Sequence, residues 1–152
     1  MLVHNNLPEE CPFTESQVTR ARKVAATATT DAAEGRVRFS TDRHHLKHEF
    51  TPAMVEDILA HPDAVYLSTG GKGKLIFRKG TDIVVTDGPG SGQGQVRTAY
   101  GPSGILAVSG ANSYPGSLPS DPGRPVTHEM IISGTVPAGP DVFLAPAWQI
   151  WP

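Results

Sequence analysis

The chain holds a single cysteine, Cys11, so it can form no internal disulfide and build no cysteine metal cluster, and its redox compartment cannot be read from it. It also lacks any apolar run near the roughly 20 residues that a membrane-spanning helix needs. Its N-terminus has no basic start followed by an apolar stretch, so a soluble chain with no targeting segment and no membrane partner is expected. Aromatic residues are scarce, at 7%, and hydrophobic residues reach 38% of 152, which suits one globular unit with a modest core. No charge of one sign dominates, the formal net charge being −2.

What is present is unevenly placed. Residues 36–103 carry nine Lys and Arg against seven Asp and Glu, whereas both flanks are net acidic. Within that basic middle the cations gather as Arg36, Arg38, Arg43 and Lys47, then as Lys72, Lys74, Arg78 and Lys79. Such clusters can make a local positive surface for a polyanion without a basic overall pI, although any one of them alone reads as a solvated face. The 16 glycines and 14 prolines concentrate in the second half, where short strands and fixed turns are expected.

Periodicity divides the chain. Residues 1–12 read as a tail or linker. Thr14-Glu15-Ser16-Gln17 fits a capping box that opens a helix with Val18, Ala21, Ala25 and Ala28 at helical spacing. A short extended piece, Val37 to Phe39, precedes a second helix, which Ser40, Thr41 or Asp42 can cap. Thr51 and Pro52 begin a third helix, with Met54, Val55, Ile58 and Leu59 inward and His61-Pro62 ending it. From Ala64 the pattern turns to alternation. Strands are expected at 64–67, 75–78, 82–87 and 95–100, the third of them central, and Gly88 to Gly94 forms a mobile hairpin tip. Ile105 to Val108, Met130 to Ile132 and Val142 to Leu144 read as further strands, and Trp148 and Trp151 as side chains that pack down the terminus. The fold class is therefore α+β: N-terminal helices packed on an antiparallel meander, with a Pro/Gly-rich C-terminal extension.

The most chemically loaded stretch is Arg43-His44-His45-Leu46-Lys47-His48. Imidazole is the side chain whose ordinary pKa lies nearest neutrality, so His44, His45 and His48 can exchange protons while Arg43 and Lys47 supply fixed positive charge. Helical spacing puts His44 above His48. That combination suits phosphodiester cleavage. RNA carries its own nucleophile, the 2′-hydroxyl, and an enzyme need only remove its proton, protonate the departing 5′-oxygen and stabilise the extra negative charge, with no metal or cofactor.

Arg43 to Phe50, followed by the strands from Gly73 to Asp87 and Gln95 to Ser103, resembles the small bacterial ribonuclease toxins of the barnase, EndoU, colicin D and RelE superfamily. In those proteins, C-terminal toxin domains of contact-dependent and other polymorphic secretion systems, a helical part bearing His and Lys packs on a four-stranded antiparallel sheet. The resemblance covers about the middle half of the chain, and makes 13–152 one ribonuclease-like domain with its core about residues 36–103. It puts His45, Lys47 and His48 in the helix positions and Arg97, Thr98 and Tyr100 in the late-strand positions of the catalytic cleft. It leaves open which imidazole is base and which acid, and the segment after Ser103 exceeds the minimal fold. It implies an endoribonuclease giving a 2′,3′-cyclic phosphate from RNA, transfer RNA included. It further implies delivery as the C-terminal part of a larger secreted toxin, action in the target-cell cytoplasm, and a cognate acidic immunity protein as partner. Arg43, His44, Lys72, Lys74, Arg78 and Lys79 are the expected substrate-binding residues.

Strand geometry qualifies that set. Alternate residues face one way, so Thr98 and Tyr100 share a face opposite Arg97, and all three can enter one cleft only through a bulge or strong twist. Three rivals stand beside the ribonuclease reading: a merely solvated basic helix, a non-catalytic nucleic-acid-binding or partner-binding domain, and a histidine metal hydrolase. The last is weakened because His45 stands where a zinc hydrolase helix puts glutamate. The glycine loop 88–94 lacks the Gly-Lys-Ser/Thr ending of a phosphate loop.

Overall fold

A computed structural model describes residues 11–40, 50–104, 124–139 and 142–152. Helices α1 (Glu15–Ala33) and α2 (Pro52–Ala60) precede strands β1 (Ala64–Ser68), β2 (Leu75–Lys79), β3 (Asp82–Thr86) and β4 (Val96–Tyr100). Helix α3 (His128–Ser133) then leads to β5 (Pro137–Gly139), β6 (Val142–Phe143) and β7 (Ala147–Trp151).

Both long helices begin as their sequences dictate. At α1 the Thr14 hydroxyl accepts from the Gln17 amide while the Gln17 side chain accepts from the Thr14 amide, which closes the capping box. At α2 the Thr51 hydroxyl accepts from the Met54 amide and Pro52 occupies the first turn, where its missing N–H costs nothing. Thr29 of α1 donates to the Leu59 carbonyl at 2.8 Å, and Arg22 donates to the Ile150 carbonyl at 2.7 Å. The first helix is thereby tied both to α2 and to the last strand.

The sheet is antiparallel with the order β4-β3-β2-β1-β7, a four-strand meander extended at the β1 edge by the C-terminus. Of the meander strands, β3 is interior but β2 is the middle one. On the helix-covered face Val65, Leu67, Leu75, Phe77, Val84, Ala99 and Ile150 join α1, α2 and Phe50 in one core. On the other face Tyr66, Ile76, Ile83, Val85 and Tyr100 pack with Val126, Ile131 and Val136 in a second. At the far edge, Ser40 donates to the Val96 carbonyl and Val96 to the Arg38 carbonyl, a short parallel addition to β4.

Two C-terminal expectations change. Met130 to Ile132 is helix, not strand: Thr127 caps it, Gly134 ends it at φ 75°, and Ile131 is buried while Ile132 is 42% exposed. The tryptophans do not simply cover the terminus; they belong to β7, with Leu67 opposite Trp148 and Val65 opposite Trp151. The expected strand at Ile105 to Val108 lies outside the described residues.

Under α3, the fully buried Tyr66 hydroxyl accepts from Arg78 Nε at 3.1 Å and lies 2.9 Å from His128 Nδ1. The one phenol oxygen therefore joins Arg78 of β2 to the first residue of α3. Tyr66→Phe removes the shared oxygen and should destabilise the fold by about 1 to 3 kcal/mol, read as a lower urea midpoint with unchanged slope; an unchanged midpoint would refute this.

Candidate anion-binding cleft

On the second face, the described residues line a cleft of about 660 Å³. One wall comes from Lys72, Lys74, Asp87, Arg97, Thr98 and Tyr100, with the start of the β3–β4 loop (Gly88, Pro89, Ser91) beside them. The rest of the lining is apolar: Val136, Pro137, Ala138 and Leu144 of the C-terminal segment, with Ile83 and Val85 of β3.

A register shift explains how Arg97 joins Thr98 and Tyr100. Thr98 pairs with Val85 but Val96 pairs with Thr86, so Arg97 is one extra residue on β4, a bulge. Alternation is broken there. The guanidinium swings to Asp87, donating from Nε to Oδ1 and from Nη2 to Oδ2, both at 2.9 Å. Lys74 Nζ reaches the same Oδ1 at 3.3 Å. Asp87 is the hub, its side chain 12% exposed against 41% for Arg97. Burial pushes its carboxyl pKa up, but the hydrogen bonds and charges of Arg97 and Lys74 outweigh burial and hold it below the ordinary value.

The loops that present these groups are locked together by glycine. A Cβ on Gly88 would lie 1.9 Å from the Gly73 carbonyl oxygen, so only glycine lets the segment after Asp87 press against the segment before Lys74. The expected mobile tip is tied back: Gly94 donates to the Asp87 carbonyl, Asp87 to the Gln95 carbonyl, and Arg38 to the Gln93 carbonyl.

Of the expected site residues, Lys72, Lys74, Arg97, Thr98 and Tyr100 line this one cleft. Arg78 and Lys79 do not. Arg78 serves Tyr66 and the Gly80 carbonyl, and Lys79 pairs with Asp57 of α2 at 2.5 Å. Arg43, His44, His45, Lys47 and His48 lie outside the described residues. Sequence reasoning missed Asp87, the loop residues and the whole apolar wall. A signal for Asp87 was present: it and Arg97 flank the glycine loop of one hairpin, which sets them near one another. Among the described residues no group of three or more His, Cys, Asp or Glu could hold a metal ion, and no helix is long and apolar enough to cross a membrane.

Among the described residues, three cations stand against one carboxylate in this lining, with hydroxyls from Ser91, Thr98 and Tyr100 beside them, a set that can bind an anion such as a phosphoryl group. Set against family models, curated proteins and solved structures, the chain matches none.

Asp87→Asn should release Arg97 and Lys74 and lower stability. Because the carboxyl pKa is lower in the folded chain than in the unfolded one, its contribution is whole above the ordinary value of about 3.9. It is lost as pH falls through the folded value, so the stability gap between wild type and Asp87→Asn should close in acid; a gap constant down to pH 2 would contradict the ion-pair account. Gly88→Ala should cost about 1 to 3 kcal/mol, the usual range for forced overpacking, and lower the thermal midpoint; an unchanged midpoint would show that the two loops do not need this close approach.

Proposed function

We propose that the chain is a metal-independent endoribonuclease toxin that cleaves RNA by attack of the 2′-hydroxyl, leaving a 2′,3′-cyclic phosphate. The observation that carries this reading is the convergence of Lys74, Arg97, Thr98 and Tyr100 on one cleft through the bulge at Arg97. Arg97, with its plane set by Asp87, and Lys74 hold the phosphoryl oxygens, and Thr98 donates to the same group. Two of His44, His45 and His48, assisted by Lys47, act as base and acid. The chain enters that stretch from Ser40, which is bonded to the first residue of β4, the strand that carries Arg97. By the resemblance to polymorphic toxin domains, the protein is delivered as the C-terminal part of a larger secreted chain and acts in the target-cell cytoplasm. Its cognate immunity protein is acidic and covers Lys72 and Lys74.

The purified protein should cleave bulk RNA or transfer RNA in excess chelator and leave cyclic phosphate ends. Arg97→Ala should slow cleavage by about a hundredfold or more, and His45→Ala or His48→Ala by a comparable factor with the fold retained. Activity that disappears in chelator and returns with zinc would overturn the mechanism. RNA bound but never cut would establish the rival reading, a nucleic-acid-binding module.

A further inference from the structure

The cleft has two chemically unlike walls, and the second is built entirely from the C-terminal segment that the resemblance leaves without a role. Lys72, Lys74 and Arg97 supply its cations; Val136, Pro137, Ala138 and Leu144 supply an apolar lining that offers no side-chain hydrogen bond. We infer that the cleft is a subsite for a single nucleotide, with the phosphate on the cationic wall and the base against the apolar wall formed by β5 and Leu144.

The apolar wall is a fixed surface. Leu144 donates to the Val136 carbonyl at 2.9 Å, Thr69 donates twice to the Pro146 carbonyl, and Val136 is buried in the second core. Ala138, by contrast, is exposed in the cleft, so its methyl group meets solvent or ligand. An inorganic phosphate needs only the cations; an apolar lining in the same cleft adds nothing to its binding. A nucleotide uses both, since its base is a flat, largely apolar plate whose transfer from water onto the Pro137 ring and Ala138 is favourable. The volume, about 660 Å³, falls inside the range of roughly 300 to 1,000 Å³ common for small-molecule sites and exceeds what a phosphate ion fills. A base seated on that apolar lining has left the stack of a duplex, so the site takes single-stranded or looped RNA. This substrate class rests on the ribonuclease reading; nucleotide binding itself does not.

The test is binding of uncleavable probes to the whole chain, followed by calorimetry or amide shifts. Inorganic phosphate, ribose 5-phosphate and each of the four nucleoside 3′-monophosphates are compared. At least one nucleotide should bind tenfold or more tighter than ribose 5-phosphate. Lys74→Ala should weaken every phosphate probe, whereas Ala138→Trp, which fills the apolar side, should erase the nucleotide advantage and leave inorganic phosphate binding as it was. If Ala138→Trp does not fold, Ala138→Asn asks the same question with a smaller, uncharged polar side chain. Nucleotides that bind no better than ribose 5-phosphate, or an advantage that survives substitution at Ala138, would overturn the inference even if RNA is cleaved. Nucleotide binding that meets these expectations in a protein that never cleaves RNA would uphold the subsite and defeat only the enzymatic reading.

Discussion

The sheet is buried on both of its faces, and most of the architecture follows from that requirement. Antiparallel sheets commonly leave one face to water. Here α1 and α2 cover one side while Val126, Ile131 and Val136 of the C-terminal segment cover the other. Ile83, Val84 and Val85 are consequently all buried in succession along β3. Among the described residues the second cover is shorter than the first, and Val136 belongs both to that cover and to the apolar lining of the cleft.

Electrostatics then decides what the cleft can hold. A nearly buried carboxylate is tolerated only because two cations pair with it, and in pairing they are themselves aimed: Asp87 fixes the plane of Arg97 through both oxygens and draws in Lys74. One negative charge thus organises an otherwise positive wall. Such an arrangement orients an anion-binding guanidinium without neutralising the surface, which is what phosphoryl recognition in the proposed ribonuclease requires.

Several layers of this were legible from residue order. The capping box at Thr14, the Thr51-Pro52 start and the four meander strands are local signals, each set by hydrogen bonds or periodicity within a few residues, and each appears at its expected place to within two residues. The juxtaposition of Arg97, Thr98 and Tyr100 was legible only as a condition, since alternation forbids it and a bulge permits it. Where apolar runs were short, periodicity could not separate helix from strand: Met130 to Ile132 satisfies either, and its caps at Thr127 and Gly134 settle it as helix.

What residue order alone determined was therefore the α+β class, the helix starts, the meander and the candidate cations of the cleft, because each depends on neighbours close in the chain. Tertiary structure alone decided that Lys74 and Arg97 share a carboxylate, that Arg78 and Lys79 turn away to Tyr66 and Asp57, and that Val136, Pro137, Ala138 and Leu144 supply the apolar lining of the cleft. Those contacts join segments far apart in the chain, through a one-residue bulge and a glycine pressed on a distant carbonyl. No local pattern encodes them, because their energy exists only once the sheet has brought the segments together.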